Sequence, residues 1–232
     1  MTRPAPRVWI TRTQPGAEAT ARRVQEMGWT PVVAPLLEVR PISGAMLKSP
    51  TPSGLAGVAL TSPNTITTIA KDLAAYNGLP FFAVGDATAE AARAAGLTNV
   101  TSAGGDIHAL ARLIASKLSK GTVFAPGALE PAGDLPALLP EHSVIRLPVY
   151  ETLAVTPAVP EDLSAVLVHS PRAARILANL LPPEIATNLL AVTISAAAKA
   201  PLEALDFKKI AIAPTPDEEG VLRTLGNSAS PV

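Results

Sequence analysis

The sequence predicts an α/β protein made of two similar parallel-sheet domains, and three observations carry that prediction. The first is an internal repeat. VLVHSP (residues 166–171) falls on VALTSP (58–63) without a gap, and in the same register LLAV (189–192) falls on FFAV (81–84). A period this long marks a duplicated domain rather than a solenoid unit. The second is alternation of apolar runs of strand length with stretches of helical spacing, the pattern of parallel strands with right-handed crossovers. The third is a shortfall. The second copy ends one strand–helix–strand short of the first, and residues 8–34, which resemble 122–144 in element order, can supply it. One flavodoxin-like domain is therefore expected to be discontinuous, residues 1–34 with 160–232, and the other inserted, 55–142. Linker strands at 35–54 and 143–159 would join them as a two-stranded β ribbon.

Taken in order, residues 8–11 (VWIT) form the first strand and 12–16 (RTQPG) the turn into a helix. That helix sets Ala17, Ala21, Val24 and Met27 on one face and ends at Gly28. Residues 31–34 are the next strand. LEVRPI (37–42) alternates apolar and polar residues, which suits an exposed ribbon, and the Ser-, Pro- and Gly-rich 43–54 reads as a linker. After the strand at 58–61, Ser62 offers a capping hydroxyl and Pro63 sits where its missing N–H costs nothing. Ile66, Ile69, Ala70 and Leu73 follow at helical spacing. The strand at 81–84 runs into GDAT (85–88), and the helix after it stops at Gly96, a left-handed terminator.

A weak strand at 99–102 precedes Asp106, a cap for a helix bearing Leu110, Leu113, Ile114 and Leu118. Residues 122–125 are a strand, followed by a turn at Pro126 and Gly127 and a short helix near 135–139. Residues 143–155 are extended and alternate around Tyr150. The second copy has strands near 165–169, 189–193 and 209–213, with helices after Pro171, Ser195 and Asp217. Pro201 kinks or restarts the helix after Ser195.

Composition narrows the function. Of 232 residues, 48% are apolar types, ample for one large or two small cores. The 19 basic and 19 acidic side chains cancel, so no overall field steers the chain to nucleic acid or membrane. With no Cys, disulfides, thiolate nucleophiles and Cys-ligated metals are excluded. No apolar stretch reaches membrane-spanning length, and residues 1–7 lead into a run too short for a signal-peptide core, so a soluble cytoplasmic protein is expected. There is no Walker A loop, GxGxxG, HExxH or GxSxG. His108, His142 and His169 lack metal-ligand spacing, and no metal site is expected; His108 and His142 read as surface residues, while His169, in a strand-end turn, reads as lining a site.

The paired turns Ser62-Pro63-Asn64 and Ser170-Pro171-Arg172 are the most informative feature. Helix capping alone accounts for them. Equally, helix N-termini at the C-terminal ends of parallel strands present N–H groups to anions. Thr11-Arg12, residues 85–88, 125–127 and 193–195 occupy equivalent turns. Tyr150, on an alternating strand, suits packing or a place where both domains reach one ligand.

In order along the chain, TR (11–12), PLLEVRP (35–41), LTSPN (60–64), AVGDATA (83–89), LPVYE (147–151) and the second SP (170–171) resemble the uroporphyrinogen-III synthase family. The resemblance implies a cofactor-independent lyase that cyclises hydroxymethylbilane to uroporphyrinogen III, inverting ring D through a spiro intermediate in an interdomain cleft. It implies a monomer with no nucleic-acid or membrane partner and a transient contact with hydroxymethylbilane synthase. By motif position, Thr88 and Tyr150 match the family's site Thr and Tyr, and Ser62 and Ser170 its strand-end serines. Arg12 and Gly127 join them as substrate-binding residues.

Two departures stand out. Where the family has Gly and Thr in the second copy, this chain reads VTIS (192–195), leaving Ser195 as the substitute hydroxyl. The turn after Ala125 reads PGALE and lacks the family's Arg. Tyr150, a phenol, is the expected proton donor to the departing hydroxyl. The rival reading is a two-domain cleft protein that binds a small anion without catalysis.

Overall fold

Two parallel sheets organise residues 4–229, the part of the chain described by the computed structural model. Residues 1–3 and 230–232, assigned from the sequence to the discontinuous domain, lie outside it. The elements run β1 (Arg7–Ile10), α1 (Gly16–Glu26), β2 (Thr30–Val33), β3 (Leu37–Pro41), β4 (Gly57–Leu60), α2 (Pro63–Leu73), β5 (Phe81–Ala83), α3 (Asp86–Ala94), β6 (Val100–Ser102), α4 (Ile107–Lys117) and β7 (Gly121–Ala128). They continue α5 (Leu135–Leu138), β8 (His142–Ala154), β9 (Leu163–Val168), α6 (Pro171–Leu180), α7 (Pro183–Ala186), β10 (Leu190–Thr193), α8 (Ala196–Lys199), β11 (Lys209–Ile212) and α9 (Glu218–Ala229). Contacts divide the chain into two units, one taking in the chain up to Glu38 and from Leu153 onward, the other Val39–Thr152.

The first unit's sheet has the order β11-β10-β9-β1-β2, with its neighbours parallel. Numbered within the unit this is 2-1-3-4-5, a doubly wound order whose direction of winding reverses between β1 and β9. Side-chain alternation sorts the core. Val8 and Ile10 meet Ala17 and Val24 of α1 and Val221, Leu222 and Leu225 of α9, while Trp9 faces the other way onto Ala173, Ala174 and Leu177 of α6.

The second unit's sheet, β3-β8-β7-β4-β5-β6, reproduces that arrangement with β3 added at one edge. β4, β5 and β6 stand where β9, β10 and β11 stand, and β7 and β8 where β1 and β2 stand. The reversal falls between β4 and β7. One face packs on α2 and α3 through Val58, Leu60, Ile66, Leu73, Phe81 and Ala92, the other on α4 through Ala59, Phe82, Leu110 and Ile114.

Local signals act as expected in several places. Gly28 and Gly96 adopt φ of 83° and 85° just past the ends of α1 and α3. Asp106 accepts from the Ala109 N–H at 2.9 Å, and α8 gives way to a 3₁₀ turn (Ala200–Ala204) that carries Pro201.

Three expectations meet a different structure. The linker strand at 143–159 lies beside β3 as a ribbon would, but its first part is also a working strand of the second unit's sheet: β8 pairs with β7 from Gly121↔His142 to Ala128↔Tyr150 and buries Val149 and Tyr150. Gly127 is not in a turn, because β7 continues to Ala128 against β8. β4 accompanies β7 only as far as Phe124, so Pro126 faces no demand for an N–H on that side. The 43–54 segment is pinned rather than slack. It forms two 3₁₀ turns, packs Ala45 and Met46 on the α2 cluster, and receives the Tyr76 hydroxyl at the Pro50 carbonyl, 2.8 Å away.

Candidate functional site

In a doubly wound sheet the ligand crevice lies beyond the carboxyl ends of the strands where the winding reverses. In the first unit this is the end of β1 beside the end of β9. The Thr11 hydroxyl ties the two strands by donating to the Leu167 carbonyl at 2.7 Å. The next residue, Arg12, donates from Nη1 to the Glu218 carboxylate and to the Thr20 hydroxyl at 3.4 Å. Thr20 in turn donates to Glu218 Oε1 at 2.5 Å, and His169 Nε2 lies 3.0 Å from Glu218 Oε2.

Glu218 reaches this place because α9 lies across the sheet on Val221, Leu222 and Leu225, with Asp217 capping its start through the Gly220 N–H at 2.7 Å. Burial pushes the Glu218 carboxyl up. Hydrogen bonds from His169 and Thr20 and the charges of His169 and Arg12 outweigh it and hold the group at about 2. A carboxylate only accepts, so His169 Nε2 carries the proton of that contact. Its Nδ1 is enclosed without a partner. The Arg12 guanidinium lies over Gly16, where a Cβ would come within 2.6 Å of Cζ, Nε and Nη2.

The three strand-end serines are helix caps. Ser62 Oγ accepts from the Asn64 N–H at 3.1 Å, Ser170 Oγ from Ala173 at 3.1 Å, and Ser195 Oγ from Ala198 at 3.3 Å. Pro63 and Pro171 have no N–H to offer, so few donors remain at these helix starts. α3 is different: Gly85 provides no side-chain cap, and Thr88 sits buried in that open first turn with its N–H on the Gly85 carbonyl at 3.1 Å.

In the second unit the reversal point lies between the ends of β4 and β7. Gly127 stands close to the loop after β4. A Cβ there would meet Thr61 Oγ1 at 3.5 Å and Thr65 Oγ1 at 4.0 Å. Thr65 Oγ1 is enclosed with no partner. Beside Gly127 the ladder shifts register, so that Ala128 pairs with Tyr150, and the Leu129 N–H donates to the Tyr150 carbonyl at 2.8 Å. This irregularity turns both Val149 and Tyr150 into the cluster that holds Val58, Leu60, Ile66 and Phe124. Tyr150 is 4% exposed, so its ring is a core residue rather than a ring on an open hinge. No hydrogen bond joins its hydroxyl to a described residue.

The structure therefore brings the predicted residues together in two sets. Arg12 and Ser170 flank the first reversal point, with Ser195 one strand over. Tyr150, Gly127, Ser62 and Thr88 form a row across the strand ends of the second unit. Glu218, Thr20, Thr61 and Thr65 were missed. Two glutamates at a helix start read only as favourable first-turn charges, and nothing near residue 218 points to Arg12. His142 is a strand residue whose Nε2 lies 3.3 Å from the Leu118 carbonyl, not a surface loop residue. Among the described residues no cluster of three or more His, Asp or Glu could hold a metal ion, and no helix is long and apolar enough to cross a membrane.

The family description "uroporphyrinogen-III synthase HemD" matches residues 18–223 of the chain. Among solved structures, the uroporphyrinogen-III synthetase of Helicobacter pylori superposes with a TM-score of 0.69 at 18% identity, covering 97% of this chain and 100% of that one. A mutant uroporphyrinogen III synthase of Thermus thermophilus gives a TM-score of 0.57 at 16% identity, covering 96% and 100%. At these identities the structural likeness is one of fold. The comparison with curated proteins returned no match.

Proposed function

The chain belongs to the uroporphyrinogen-III synthase family, enzymes of tetrapyrrole biosynthesis, and from that premise we propose the reaction and the residues that serve it. The reaction is the lyase-type cyclisation of hydroxymethylbilane with inversion of ring D. Hydroxide leaves the hydroxymethyl carbon, pushed out by pyrrole nitrogen, and the substituted carbon of ring D attacks the resulting azafulvene. The spiro intermediate fragments and recloses, and the final loss of a proton restores the last pyrrole. The net change is loss of one water.

The row of Tyr150, Gly127, Ser62 and Thr88 across the strand ends of the second unit is the observation that carries the assignment of residues. Tyr150 packs its ring in the core, and we assign its hydroxyl the proton donated to the departing hydroxyl. Ser62, Thr88 and Gly127 bind substrate beside it, Gly127 by keeping the space in front of Thr61 and Thr65 clear. Arg12, Ser170 and Ser195 bind carboxylates at the first unit's strand ends. Holding a flexible bilane in a reactive curl supplies most of the acceleration, on the order of 7–11 kcal/mol in favourable systems. One general acid adds ~10²–10⁴-fold. A monomeric state, a cytoplasmic location and a transient contact with hydroxymethylbilane synthase belong to the same proposal, since a substrate that closes spontaneously to the wrong isomer gains from rapid hand-over.

The test is the isomer formed. Purified protein incubated with enzymatically generated hydroxymethylbilane is expected to yield the type III product. Type I alone, the spontaneous product, would return the chain to a binding role.

A further inference from the structure

The cluster at the end of β1 contains an arginine that is held at one corner and open at the opposite edge. Nη1 is committed to Glu218 and Thr20. Nothing among the described residues accepts a hydrogen bond from Nε or Nη2, and the side chain is about a third exposed. The guanidinium is planar and rigid, so fixing one corner orients the Nε–Nη2 edge, the geometry that takes a carboxylate with two parallel hydrogen bonds.

The N–H groups of Ala17 and Glu18 do not compete for that role. Two early N–H groups of α1 are already used, Ala17 on the Thr13 carbonyl at 3.1 Å and Glu18 on the Gln14 side chain at 3.2 Å. Glu218 is itself anchored by Thr20 and by His169, so it is a fixed support rather than a mobile anion. Gly16 completes the arrangement, because any Cβ there would intrude on Cζ, Nε and Nη2.

We propose that Glu218 and Thr20 are positioning residues that hold Arg12 with its Nε–Nη2 edge as a bidentate seat for one substrate carboxylate, and that Gly16 leaves the space the guanidinium needs. This rests on the reading that the chain acts on a carboxylate-bearing bilane. It adds residues to that reading which touch no substrate and act through Arg12. The competing view makes Glu218 an internal plug that occupies Arg12 and has to be displaced.

The experiment is steady-state kinetics on hydroxymethylbilane with Gly16→Ala, Glu218→Ala, Glu218→Gln and Arg12→Lys, each checked by thermal unfolding. Gly16→Ala deletes no side chain and places a good helix former at the head of α1, so the variant should remain folded. Its Cβ pushes the guanidinium aside, and KM should rise about tenfold with a smaller change in kcat, the mark of lost ground-state binding. Glu218→Ala should raise KM similarly, with partial rescue by Glu218→Gln, which keeps an acceptor for Nη1. Arg12→Lys should not rescue, since it keeps charge and loses the fork. If Glu218→Ala does not fold, Gly16→Ala decides alone. A folded Gly16→Ala enzyme with wild-type KM overturns the seat, and a lowered KM in Glu218→Ala establishes the plug instead. Failure of the wild-type protein to form the type III isomer would overturn the function itself, an outcome read from product and not from KM.

Discussion

The reversal points of the two sheets, β1 beside β9 and β4 beside β7, occupy the same place in the same strand order and differ in their side chains. The first is charged and tightly interbonded: Arg12, Glu218, Thr20 and His169 engage one another, leaving His169 Nδ1 and the Nε–Nη2 edge of Arg12 without a partner among the described residues. The second is lined by hydroxyls and a glycine, with Arg146 nearby, and is open in its hydrogen bonding. Thr65 Oγ1 has no partner, Gly127 clears the space beside it, and Tyr150 brings a phenol to the next strand. What duplication has kept is the turn itself, Ser at the cap and Pro at the first helical position, with Ser62 and Ser170 both bonded to the helix they begin. The scaffold is shared; the residues that differ are those whose partners come from elsewhere in the chain.

The largest effect should come from Tyr150. Tyr150→Phe keeps the packed ring and removes the hydroxyl, so stability should hold while turnover falls about 10–10³-fold, within or below the usual range for a general acid. Wild-type turnover in the folded variant would break the contrast by making the second reversal point a packing feature.

Acid unfolding tests the charged site next. Glu218 is held at about 2 in the folded chain against an ordinary 4.5. A lowered folded value means that its stabilisation is complete above the ordinary value and is lost as pH falls from there through about 2. The shift corresponds to about 3 kcal/mol. Glu218→Gln should flatten that part of the acid limb by this order. Asp106, lowered mainly by the backbone N–H of Ala109, titrates alike in both proteins, whereas Asp217, lowered mainly by the Gly220 N–H, also loses the Glu218 charge that raises it. An unchanged acid limb would mean that the cluster does not stabilise the first unit.

Two threonines sharpen the comparison further. Thr11 donates to the buried Leu167 carbonyl, so Thr11→Val should cost about 1–3 kcal/mol by leaving that acceptor unpaired. Thr65 is equally buried and its hydroxyl has no partner, so Thr65→Val should be neutral or slightly stabilising. Urea midpoints of the two variants decide it, and equal losses would contradict the difference in bonding.

The smallest effect is the shared one. Ser62→Ala and Ser170→Ala should each cost about 0.5–2 kcal/mol, since the caps are equivalent. If both destabilise and neither weakens substrate binding, the serines are caps and nothing more.

Residues close in sequence declared their own roles. The Ser-Pro caps, the terminators Gly28 and Gly96, the Asp106 cap and the break at Pro201 depend on partners within a turn or so, and a short stretch of chain contains everything that decides them. The repeat itself was legible for the same reason, since alternating strands and capped helices write a periodic pattern that survives in both copies. Where distant segments had to meet, the sequence was silent. Arg12 and Glu218 are 206 positions apart and join only because α9 lays its apolar face over β1 and β9. Gly127 belongs to a strand and Tyr150 to a core because β7 and β8 pair along their length and slip register beside Gly127. A helix cap is a local hydrogen bond, whereas an ion pair or a buried phenol is set by which surfaces the packed sheet brings together, and that is decided only once the whole unit has folded.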